Sequence, residues 1–123
     1  MQENARIKID EELLNSLEST ESTQNMLTKF FEENLEAIHD LLFNYHYDKR
    51  ERVYELSLEE NSLVFKGNKG SFRVLYMIGF FNACADLDYN APEKMKIDFS
   101  INRDIKEIIL TGEYWPERGQ DEI

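Results

Sequence analysis

At 123 residues, with 41% hydrophobic and 12% aromatic side chains, the chain has the composition of a single folded domain, neither disordered nor low-complexity. Its 25 acidic and 14 basic residues leave a net charge of −11, a field that repels nucleic acid and anionic membranes and attracts basic proteins and cations. No run reaches the roughly 18 uninterrupted apolar residues of a membrane span, and a lone cysteine, Cys84, excludes an internal disulfide.

The opening MQENARIKIDEE has no apolar stretch behind a basic one, so it does not read as a signal peptide; with the single thiol, a reducing, cytoplasmic setting is expected. The acidity is spread along the chain, from −4 over residues 1–24 to −3 over residues 92–123, so no single acidic tail accounts for it. The expected organisation is an arm, short helix and linker over 1–23, one α+β domain over 24–116 and a flexible tail over 117–123.

In chain order, ARIKID at 5–10 alternates as an edge strand or an arm, and Leu13, Leu14 and Leu17 suggest one or two helical turns. The polar LESTESTQN at 17–25 reads as a hinge. Residues 24–46 form the best helix of the sequence: Leu27, Phe31, Leu35, Ile38, Leu42 and Tyr45 recur at spacings of three and four. Lys29, Glu32, Glu36 and Asp40 lie opposite, with Glu33 beside them. Asn34 falls within the apolar stripe and Phe43 outside it, each a potential mark of a contact or of altered packing at the helix end. RVYELSL at 52–58 alternates, and SLVFK at 62–66 returns as its partner strand. MKIDFSIN at 95–102 alternates most cleanly, and IKEIILTGEYW continues as a strand through about Tyr114. Two hairpins of this kind predict an antiparallel sheet with one wet face.

The apolar run at 72–81 is the hardest segment. As a strand it would be apolar on both faces beside neighbours with only one apolar face; as a helix it packs between the sheet and the 24–46 helix. The helix is favoured, with Ser71 as its cap and a cost of roughly 1 kcal/mol for Gly79. The predicted architecture is thus α+β: N-terminal helix or helices, then ββ-α-ββ, an antiparallel sheet with helices on one face. A helix apolar on nearly all sides needs cover, which suggests a homodimer through Phe72, Tyr76, Phe80 and Phe81.

No motif marks an enzyme. His39 and His46 lie seven apart, which is not a zinc spacing, and read as two boundary histidines. Asp86, Asp88 and Asn90 resemble the start of a calcium loop, but Ala91 replaces the turn glycine and Ile97 stands where a bidentate glutamate is needed. GNKG at 67–70 lacks P-loop spacing, and Cys84 reads as a packed thiol. No cofactor and no metal are expected. The feature that points to function is the acidic helix face, Glu32, Glu33, Glu36 and Asp40, with Tyr114 and Trp115 as candidate aromatic anchors. Together they suggest an inhibitor or immunity-type factor that occludes a basic, nuclease-like protein. The alternatives are a homodimeric, secretion-chaperone-like adaptor that holds an extended client on its sheet, and a small-molecule-binding α+β domain.

Overall fold

The computed structural model describes residues 2–17, 21–82 and 87–115. Strand β1 (Asn4–Lys8) leads into three helices, α1 (Glu11–Asn15), α2 (Glu21–Glu32) and α3 (Leu35–His46), and a 3₁₀ turn over Tyr47–Lys49. Strands β2 (Arg52–Leu58), β3 (Val64–Lys66), β4 (Lys69–Asn82), β5 (Leu87–Asn102) and β6 (Glu107–Thr111) follow. They form one antiparallel sheet in the order β1-β6-β5-β4-β2, with β3 paired to β4 beyond the end of β2. The class is α+β, but every described helix precedes the main run of strands.

The single helix expected over 24–46 is two. Asn34 breaks it: its side-chain amide donates back to the Phe30 carbonyl at 2.8 Å, and a fresh helix begins at Leu35. A short polar side chain that binds nearby backbone competes with the helical ladder, which explains an asparagine inside an apolar stripe. The stripe itself is buried, with Leu27, Phe31, Ile38 and Leu42 fully enclosed against the sheet. Phe31 sits 4.6 Å from Phe72 and 5.2 Å from Phe99 between ring centroids, joining α2 to the start of β4 and the end of β5.

The run at 72–81 is strand, not helix. It pairs with β5 over fourteen residues, from Lys69 opposite Ser100 to Asn82 opposite Leu87. Phe72, Val74, Tyr76 and Ile78 point into the core, while Leu75 and Met77 point outward, Leu75 being 37% exposed. The outer face thus bears the half-exposed apolar side chains that the helix reading sought to avoid. The β-branched and aromatic side chains of the inner row fit a pleated surface under α2 and α3. Gly79, awkward in a helix, has a use here: a Cβ on it would lie 2.9 Å from Asn90 Oδ1 and 3.2 Å from the Tyr54 ring. Its bare backbone lets Tyr54 donate to Asn90 across the strand at 2.5 Å.

Two further expectations change with it. Strand 62–66 does not return along β2; both line the same side of β4, and the tight hairpin runs over Gly67 and Asn68, with Gly67 at φ +68. Residues 87–93 are strand as well, and Pro92 fits because β6 pairs only with Asp98–Asn102, leaving β5 an edge there. The final strand stops at Thr111 rather than Tyr114.

Candidate functional site

The helix break reorganises the acidic face. Glu32 ends α2, whereas Glu33, Glu36 and Asp40 line one groove of about 450 Å³ beside β1, together with Arg6, Lys8 and Asn34. β1 is an edge strand, so its outer side pairs with no other strand among the described residues. Arg6 is bound to Glu107 at 3.2 Å, and Asp40 lies 3.7 Å from His39; Glu33 and Glu36 have no ion pair among the described residues. Glu32 is exposed but lies outside the groove.

The two expected aromatic anchors separate. Tyr114 is 67% exposed, while Trp115 packs edge-on to Tyr45 at 4.8 Å and to His46 at 5.4 Å, with Lys49 Nζ 5.7 Å above its ring. Trp115 is a lid on the core. Of the residues suggested for a dimer, Phe72 and Tyr76 lie inside the chain's own core, covered by its helices. Phe80 is half-buried and stacks 5.5 Å from Tyr89; Phe81 belongs to β4, but its side chain lies outside the described part, as does all of Cys84.

His46 is not a boundary residue. It is 1% exposed and both ring nitrogens are engaged: Nδ1 with Glu51 Oε1 at 2.8 Å and Nε2 with the Tyr76 hydroxyl at 2.9 Å. The second Glu51 oxygen accepts from the Tyr89 hydroxyl at 2.5 Å. With Glu51 ionised, one assignment satisfies every group: Nδ1–H donates to Glu51, and Nε2 accepts from Tyr76. The chain Tyr76–His46–Glu51–Tyr89 ties α3, the turn before β2, β4 and β5 together. Burial alone would raise the Glu51 pKa, but the hydrogen bonds from Tyr89 and His46 outweigh it and hold the carboxyl below its usual range. Burial, reinforced by Glu93, Glu113 and Glu51, drives the Tyr76 hydroxyl far above the usual phenol.

Both His46 ring nitrogens and both Glu51 oxygens are engaged within the chain, across four of its segments. The cluster therefore positions chain segments. What it positions is a depression of about 470 Å³ lined by Phe43, Tyr47, Arg50, Glu51 and Arg52. Phe43 continues an exposed aromatic row along α3, stacked 6.2 Å from His39 and edge-on 5.6 Å from Tyr47. Sequence reasoning singled out Phe43 as outside the stripe but did not join it to the arginines. No group of three or more potential metal ligands occurs among the described residues, and no described helix is long and apolar enough to cross a membrane. Asp86, the first residue of the calcium-like stretch, lies outside the described part; Tyr89 to Ile97 is continuous strand where a metal loop would have to curl. The chain matches no known protein family, no curated protein and no solved structure.

Proposed function

We propose that this chain is a binding protein that takes up a basic protein partner along the groove between α3 and the free edge of β1, acting as an inhibitor or immunity-type factor in a reducing compartment. The observation that carries this reading is the gathering of Glu33, Glu36 and Asp40 on one groove beside an unpaired strand edge. Carboxylates there meet lysines and arginines of a partner, and the edge offers backbone hydrogen bonds to an extended segment. The net charge of −11 steers such a partner in over the longer range, and Arg6 and Lys8 on the groove's other wall set the register of what enters. An adaptor that dimerises through Phe72 and Tyr76 gains no support, since both are enclosed by the chain itself.

The test compares two triple variants of equal charge change. E33K/E36K/D40K alters the groove; E55K/E60K/D104K alters three exposed acids elsewhere. Binding of a fluorescent arginine-rich peptide is measured by anisotropy at about 50 mM and about 200 mM salt. The groove variant is expected to bind about tenfold more weakly, roughly 1.4 kcal/mol, and to lose most of the salt dependence. Equal losses in the two variants would reduce the groove to an ordinary solvated surface.

A further inference from the structure

We infer that the depression between the end of α3 and the start of β2 is a second docking site, for an acidic segment of a partner protein that presents a carboxylate beside an apolar side chain. It lies at the β2 edge of the sheet, opposite the β1 edge that borders the acidic groove, and does not depend on that groove.

Three features of the site point to such an occupant. Phe43 and Tyr47 are 38% and 64% exposed, yet their rings brace each other edge-on at 5.6 Å, so a partner meets a fixed apolar surface. Arg50 and Arg52 flank them, and neither has a carboxylate partner among the described residues; Arg52 lies 5.8 Å over the Tyr54 ring instead. Glu51, the acid between them, is turned inward with both oxygens committed to His46 and Tyr89. The carboxylate best placed to neutralise the arginines is thus withheld, and two guanidinium groups remain to accept one from outside. Guanidinium binds carboxylate through paired hydrogen bonds, and exposed tyrosine and arginine held on a rigid base make the usual centre of a protein interface. Arg50 is also held at φ +59, in the left-handed region that favours glycine or asparagine.

A polynucleotide would also bring negative charge, but it is a long polyanion approaching a chain of net charge −11, and the Phe43 and Tyr47 rings stand edge-on to each other, not as parallel platforms for successive bases. A short protein segment, with a few carboxylates next to leucine or phenylalanine, fits better.

The probe is a fluorescein-labelled, end-blocked peptide of alternating glutamate and leucine, with its lysine-for-glutamate counterpart as the contrast. Affinity is read by anisotropy at about 50 mM salt. Arg52→Gln and Phe43→Ser are each expected to raise Kd about tenfold, and Lys106→Gln, remote from the site, to leave it unchanged. Arg50→Asn is the decisive variant: asparagine tolerates the left-handed backbone, so the melting temperature should rise while affinity falls about tenfold. Loss of binding then cannot come from loss of fold. Unchanged affinity of the glutamate peptide in both arginine variants, the same tenfold loss for the lysine peptide in Arg52→Gln, or tighter binding of an oligonucleotide of matched charge would each overturn the inference.

Discussion

Replacing Glu51 by glutamine keeps the shape of the side chain and removes its charge. In the wild type the carboxylate accepts from His46 at 2.8 Å and from Tyr89 at 2.5 Å, both charge-assisted. A hydrogen bond to a charged group contributes about 1.5–3 kcal/mol; glutamine can still accept one, so the expected net loss is about 2–3 kcal/mol. With a urea m-value of about 1–3 kcal/mol/M, the unfolding midpoint falls by roughly 0.7–3 M. Trp115, the only tryptophan, lies edge-on to His46 and reports the transition by fluorescence. The pH dependence gives a second check. The folded pKa of Glu51 lies below its unfolded value, so in the window between them the unfolded chain binds more protons and stability rises with pH. The contribution is complete above the unfolded carboxyl value and lost as pH falls through the folded one. The gap between wild type and Glu51→Gln should therefore be widest near neutrality and shrink below about pH 4.5. A gap under about 0.5 kcal/mol at neutral pH, or one that stays constant into acid, would refute the account of this network.

Four further substitutions test the fold that carries the two sites. Gly112→Ala would place a Cβ 2.5 Å from the Tyr45 hydroxyl, which is held by the Glu3 amide and the Glu113 carbonyl; a loss of about 2–3 kcal/mol in chemical denaturation is expected. Phe31→Ala removes the ring between Phe72 and Phe99 and should cost about 3–5 kcal/mol by the same assay. Leu75→Thr, on the outer face, should stay within about 0.5 kcal/mol, whereas Val74→Thr, one residue away and fully buried, should lose more than about 1.5 kcal/mol. Similar losses at 74 and 75 would contradict the strand alternation.

The sequence carried the helical stripe and the 95–102 strand plainly, because in each the apolar side faces the core and the opposite side is polar. Contrast is what periodicity measures, and β4 has little of it. Leu75 and Met77 occupy outward positions that a wetter strand would fill with polar residues, so the run loses its period of two while keeping strand geometry. The break in the long helix was signalled by Asn34 but not decided by it, since an asparagine on a helix can also face solvent. Glu33, Glu36 and Asp40 were visible as acids on one helix face; that they border a strand edge depends on where β1 returns, which local pattern does not record. His46 is the clearest miss. Its partners stand five and thirty residues away, and Tyr89 joins only through Glu51, so the cluster exists in three dimensions and has no spacing to recognise.

The pairing of β1 with β6, Asn4 opposite Thr111, joins stretches about a hundred residues apart. During synthesis β1 leaves the ribosome well before its partner, and at roughly 5–20 residues per second the wait is about 5–20 s. The β4–β5 hairpin has no such delay, because its strands follow one another. The cost of closing such a loop grows slowly with its length, by about 0.6 kcal/mol for each doubling, so the finished sheet is little penalised for the extra span. The burden falls on the nascent chain: an alternating strand with an open edge is exposed before its partner exists. Arg6 and Lys8 on that strand, charged and outward, also discourage pairing with the wrong chain during the wait.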